Sequence, residues 1–253
     1  MLKLEGLSRQ FGGVRALDDV TLTVHPEQVY GLIGPNGAGK TTVFNLVTGL
    51  FPPTGGLLEF DGRSLQGVPP HRIAQRGIAR TFQNIRLFQE MTLIDNVIVG
   101  MHAHLPYHFW DLLLRTPAFR EAERRARARA LQLLHRVGLG TLCEELAGNL
   151  SYGNQRKLEI ARALASRPRL LLLDEPVAGM NATEKNEIMA LIRSLRQDRL
   201  TVFMIEHDMR FVMGLCDTVA VLNFGRIIAA GKPAEIQANP AVIEAYLGQE
   251  EPA

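Results

Sequence analysis

The stretch QVYGLIGPNGAGKTTVFNLVTGL, residues 28–50, decides the fold. It reads as a short apolar strand, a glycine-rich loop and a helix that stops near Gly49. Inside it, GPNGAGKT at 34–41 has the spacing G-x-x-x-x-G-K-[ST], in the strand-to-helix setting that a phosphate loop requires. The loop comprises Gly34, Pro35, Asn36, Gly37, Ala38 and Gly39, followed by Lys40, Thr41 and Thr42. Its glycines let backbone N–H groups curl around phosphate oxygens. Lys40 would bring charge to the β and γ phosphates, and Thr41 a hydroxyl to Mg²⁺. A chance glycine-rich turn is the competing reading, and both flanks speak against it.

Working outward, LLLLDE at 170–175 is an apolar strand ending in two carboxylates. A central parallel strand delivers its polar end to the ligand crevice. Asp174 would hold Mg²⁺, directly or through water, and Glu175 would orient and polarise an attacking water. His207 closes the strand TVFMIEH, within reach of a γ-phosphate or the water, and Gln83 closes IARTFQ with an amide for Mg²⁺ or water. Singly, a strand-end His is a satisfied structural residue and a strand-end Gln says little. Three strand ends carrying Gln, Asp-Glu and His toward one crevice say more.

The remaining pattern is α/β. Residues 2–33 read as short strands, and the α/β alternation resumes after Pro168 and runs to a hairpin turning at Asn223–Gly225, with two short helices in the tail. Between them, Thr92 and Asp95 suggest a capping box, and AFREAERRARARALQLLHRVG a strong helix with a Gly stop. The expected organisation is a nucleotide-binding core over 1–83 and 166–235, a helical lobe over 84–165 and a tail over 236–253.

Charge is balanced, 28 basic against 26 acidic residues, which gives no electrostatic case for nucleic acid. Two cysteines are too few for a disulfide scaffold, and a reducing cytosol suits them. MLKLEGLSRQ lacks signal-peptide character, and no apolar run is long enough to span a bilayer. The arginine-rich face at 120–136 reads as a solvated helix surface, with attraction to anionic headgroups as the alternative. His102, His104 and His108 lack the carboxylate frame of a metal site.

LSYGNQRKLEIARAL at 150–164 poses a puzzle. Ser151 is a good N-cap and Gly153 permits close approach, so the helix start is a second anion site more than a hundred residues from the first. One phosphate loop already surrounds its phosphate, so a second site without a loop of its own is best used in trans.

Taken in order, Phe11, GPNGAGKTT, Gln83, LSYGN, LLLLDEP, AGMN and His207 resemble the ABC-type ATPase subunits, over the whole chain. The resemblance implies an α/β P-loop NTPase core with a mostly parallel sheet, an N-terminal antiparallel β subdomain and an inserted helical lobe. It implies ATP and Mg²⁺ as cofactors, with Phe11 stacked on adenine; a core aromatic of the first sheet is the alternative reading of Phe11. It implies a head-to-tail dimer in which Ser151 and Gly153 meet the γ-phosphate on the other subunit's Lys40, and in which Asn181 lies in a loop crossing the interface. Tyr152, Asn154 and Asn181 depart from the commonest family pattern.

RTFQNIRLFQEMTLIDNV, IEHDM and the terminal AYLG narrow the resemblance to ATP-binding subunits of branched-chain amino acid importers, of the LivG type. That branch implies as partners a second ATPase subunit (a paralogue or a second copy), two transmembrane permease subunits and, indirectly, a periplasmic substrate-binding protein. It implies a peripheral position on the cytoplasmic face of the inner membrane, with the NIRLFQEM region receiving a permease helix. The alternative is a soluble ABC ATPase acting on nucleic acid or the ribosome. Such chains show paired ATPase units, long coiled-coil insertions or basic patches, none of which occurs here.

Overall fold

The computed structural model describes residues 1–102 and 116–247. Strands β1 (Leu2–Phe11), β2 (Val14–Val24) and β3 (Val29–Ile33) lead into helix α1 (Lys40–Val47). β4 (Gly55–Phe60), β5 (Arg63–Ser64), α2 (Pro70–Gln75) and β6 (Ile78–Arg80) follow. Three helices come next: α3 (Leu93–Val99), α4 (Pro117–Arg136) and α5 (Tyr152–Ala165). The chain then alternates through β7 (Leu170–Asp174), α6 (Ala182–Gln197), β8 (Thr201–Ile205), α7 (Met209–Leu215) and β9 (Thr218–Asn223). It closes with β10 (Arg226–Gly231), α8 (Pro233–Gln237) and α9 (Pro240–Leu247). The chain forms two units, one of Met1–Arg80 with Arg169–Ala253, the other of Thr81–Pro168.

The first unit holds two sheets. β1 alternates Leu2 and Leu4 inward with Lys3 and Glu5 outward, the period-two pattern of a half-buried strand, and a register shift before Leu7 brings that residue back into the core. It pairs antiparallel with β2 and β4 in the order β2-β1-β4-β5. The second sheet runs β10-β9-β3-β8-β7-β6, parallel except for β10. Every residue of β3, β7 and β8 is buried, because parallel strands are covered on both faces and cannot alternate. Leu2 and Leu4 share one apolar core with Phe44 of α1 and with Leu172 and Phe203 of the parallel sheet.

β8 lies between β3 and β7. The order therefore gathers the segments after β3, β8 and β7 along one carboxyl edge, which is where open α/β sheets bind ligands.

The second unit is helical. α4 buries Phe119, Ala126, Ala130, Leu133 and Leu134 on one stripe. Gly138, at φ 78, ends it, with the Leu139 N–H reaching back to the Leu134 carbonyl at 2.8 Å. α3 packs against α5 so closely that a Cβ on Gly100 would stand 2.3 Å from the Arg162 carbonyl oxygen. On the basic face of α4, Arg124 and Arg125 pair with Glu121 and Arg127 with Glu144. His104, His108 and the rest of 103–115 lie outside the described residues.

Two expectations need correction. Gln83 and His207 do not close strands: β6 stops at Arg80 and β8 at Ile205. In both places a side chain captures the backbone that would have continued the ladder. Glu159 accepts the Phe82 N–H at 3.2 Å, and Glu206 accepts the N–H groups of His207 and Asp208 at 3.0 and 3.2 Å. The capping box at α3 is one-sided. Thr92 accepts from the Asp95 N–H at 3.2 Å, while the Asp95 carboxylate takes the Thr92 hydroxyl at 2.6 Å instead of a backbone N–H.

Candidate active site

β3 runs straight into the glycine loop, and Gly34 is fixed by contact. At φ 150, a Cβ on it would lie 2.0 Å from the Leu222 carbonyl oxygen of β9. The loop is pinned from the other side by Gly225, whose N–H donates to the Ala38 carbonyl at 2.9 Å and whose carbonyl accepts the Asp18 N–H at 2.9 Å. Lys40, buried at the start of α1, donates to the carbonyls of Gly34 and Pro35 at 2.6 and 2.9 Å. Burial pushes its ammonium below its ordinary pKa, opposed by the carboxylates of Glu175 and Asp174. Asn36, Gly37 and Thr41 are exposed, Gly39 and Thr42 partly so, while Pro35 and Ala38 are buried.

Asp174 ends β7 and is buried. One of its oxygens takes the Arg80 guanidinium at 2.8 Å, and Arg80 also donates to Asn45 Oδ1 at 2.8 Å. Sequence reading missed Arg80. Its signal was its place on β6, the strand beside β7, two residues past the Ile78–Leu170 pair. Glu175 then leaves the sheet with φ 48, a left-handed value uncommon for a residue with a side chain, and its N–H donates to the Ile205 carbonyl at 2.9 Å. His207 Nδ1 stands 3.8 Å from Glu175 Oε1, with the imidazole more than half exposed.

Glu206 was also missed. It is buried and accepts the Val177 N–H at 3.0 Å together with those of His207 and Asp208, so it ties the turn after Glu175 to the His207 loop. Lys40, Asp174, Glu175 and His207 thus gather at one sheet edge.

No group of three or more His, Cys, Asp or Glu side chains suited to a metal occurs among the described residues. Mg²⁺ takes one or two protein oxygen groups and completes its shell with water and substrate phosphate. The exposed Thr41 hydroxyl and the Asp174 carboxylate at this edge are the hard oxygen donors it favours.

Phe11, at the end of β1, is 39% exposed and so is not a core aromatic. Phe51 meets it edge-on at 5.5 Å, and the Arg9 guanidinium lies 4.5 Å over one face of its ring. Together they form a small aromatic platform at the surface.

In the helical unit, Ser151 caps α5, accepting from the Asn154 N–H at 3.4 Å. Ser151 and Tyr152 are exposed and Gly153 is buried. The Gln83 carbonyl is held by Arg156 Nη2 at 2.8 Å. Asn181 caps α6 in a full capping box with Glu184. No helix of the described residues is long and apolar enough to cross a membrane.

The sequence profile of the ABC transporter family matches residues 17–178. A profile described as branched-chain amino acid ATP-binding cassette transporter matches residues 226–252. The chain is 50% identical, over 98% of both proteins, to the high-affinity branched-chain amino acid transport ATP-binding protein BraF of Pseudomonas aeruginosa. It is 47% identical, over 98% of both, to LivG of Escherichia coli K12, which carries the same description. A solved ADP conformation of an ATP-binding cassette of an ABC transporter has a TM-score of 0.86 and 30% identity, covering 98% of this chain and 99% of that one.

Proposed function

The chain belongs to the ABC transporter family, in its branched-chain amino acid group, and on that premise we propose that it is the ATP-hydrolysing subunit of an importer for branched-chain amino acids. The observation that carries the reading is the edge where Lys40, Asp174, Glu175 and His207 meet, after neighbouring strands β3, β7 and β8.

ATP lies with its β and γ phosphates in the 34–42 loop, under the N–H groups of that loop and the start of α1. Lys40, already desolvated, exchanges its two loop carbonyls for phosphate oxygens. The adenine takes the face of Phe11 opposite Arg9. Thr41, Asp174 and Gln83 would hold Mg²⁺, which when bound neutralises developing phosphate charge. Glu175 accepts a proton from the attacking water as its oxygen bonds to the γ-phosphorus and the bond to the ADP oxygen breaks. His207 holds the γ-phosphate or that water. Little covalent help is needed, so placement supplies most of the rate.

The crevice is completed in trans. Ser151 at the exposed start of α5 reaches the γ-phosphate held by a second ATPase subunit, and Gly153 leaves no side chain in the way. ATP closes the pair and hydrolysis reopens it. The helical unit passes the motion to two permease subunits at the cytoplasmic face of the membrane, with a periplasmic binding protein delivering the solute.

Replacing Glu175 by Gln tests the chemistry. Turnover of the assembled complex should fall about 10²–10⁴-fold with ATP binding retained. Hydrolysis near the wild-type rate would remove Glu175 from its role.

A further inference from the structure

α5 carries an arginine with no exposure. Arg156 is 0% exposed, and Glu159 one turn later is 2% exposed. Arg156 Nη1 donates to the Phe82 carbonyl at 2.6 Å and to Glu159 Oε2 at 2.8 Å. Nη2 donates to the Gln83 carbonyl at 2.8 Å and to the Tyr152 hydroxyl at 3.2 Å. The Phe82 N–H closes the circuit on Glu159 Oε1 at 3.2 Å. One guanidinium therefore fastens the first turn of α5 to two consecutive carbonyls, the second of them on Gln83.

Stability does not account for this arrangement. A buried ion pair gains little over apolar residues of similar volume, and often loses to them. The Arg156 Nε is moreover buried with no hydrogen-bond partner, which costs free energy. What an apolar side chain could not do is hold two adjacent carbonyls. Fixing both sets the two peptide planes that flank the Gln83 Cα, and with them the direction in which the Gln83 side chain leaves the backbone. Tyr152 adds the link at the other end. Its ring is exposed next to Ser151, yet its hydroxyl is spent on Arg156, whose guanidinium carbon lies 5.8 Å from the ring centre.

We propose that Arg156 and Tyr152 are positioning residues that join the Ser151 turn and Gln83 into one mechanical unit. Engagement of the second subunit's triphosphate at the start of α5 then sets the Gln83 amide of the same chain, so that each nucleotide site reports to the other. The proposal rests on the roles given to Ser151 and Gln83 above.

The test is a double-mutant cycle on the assembled transporter. Arg156→Lys keeps a charge for Glu159 but cannot reach both carbonyls and the hydroxyl. Tyr152→Phe removes only the hydroxyl from an exposed ring and carries no folding risk. Arg156→Lys should lower kcat about tenfold and also lower the melting temperature, because buried carbonyls lose their donor, while Tyr152→Phe should lower kcat about two- to tenfold with the melting temperature unchanged; KM for ATP is unchanged in both. In a Gln83→Ala background neither change should lower kcat further, because both act through Gln83. Undiminished turnover, losses that add to that of Gln83→Ala, or a Tyr152→Phe loss that tracks the melting temperature would each overturn the proposal. If Gln83→Ala alone leaves turnover intact, the failure lies in the site reading and not in the link.

Discussion

Arg80 and Asp174 form an ion pair with side chains only 6% and 5% exposed, and its value lies in what happens when it is halved. Removing one partner leaves a buried charge alone, at a cost of about 3–5 kcal/mol. Arg80→Met should lower the unfolding free energy of the isolated subunit by that amount in a denaturant titration, and adding Asp174→Leu should recover most of it. An Arg80→Met loss under about 1 kcal/mol would show that the pair is open to water. Glu206 offers a test by pH. Burial pushes its carboxyl above the ordinary 4.5, although three backbone N–H groups pull it down. The folded value is raised, so its contribution to stability is whole below pH 4.5 and is lost as pH rises through the raised value. Followed upward from that pH, the melting temperature of the wild type should lose ground against Glu206→Gln. A difference that is constant with pH would contradict the assignment. Neither residue was legible in the sequence, because each acts through a partner brought close only by strand order or by a loop. The gathering of Lys40, Asp174 and Glu175 at one sheet edge was legible because their motifs carry their own geometry, each following an apolar strand.

At the scale of elements, pattern placed short strands within residues 2–33 and strands at the apolar runs of β7 and β8, and the Gly stop at 138 was where the sequence put it. What pattern could not supply was the last residue of a strand. IARTFQ and TVFMIEH look like continuous strands, but buried Glu159 and Glu206 take the backbone N–H groups that would extend them. Gln83 and His207 consequently sit on loops. α6 owes its start to the reciprocal bonds of Asn181 and Glu184, each at 3.0 Å. Asn181→Ala should cost about 0.5–2 kcal/mol in the thermal unfolding of the isolated subunit. No measurable change would mean that the cap is replaced by solvent.

At the scale of the molecule, the account turns on a division of labour. In the function proposed above, one chain holds a triphosphate over the edge of its parallel sheet, and the start of α5 belongs to the site of another. The partner was legible in the sequence only as a surplus, a helix start suited to anions in a chain that already had a phosphate loop. Ser151→Asp tests this most directly, because aspartate caps a helix as well as serine does and leaves α5 intact. It places a carboxylate where the other subunit's γ-phosphate should arrive. The measurement is ATP affinity of the isolated subunit beside ATP occlusion by the assembled complex, both in the Glu175→Gln background. The account predicts unchanged affinity in the first and about a tenfold or greater loss of occlusion in the second. Full occlusion with Asp at position 151, or a loss of affinity in the isolated subunit, would contradict it.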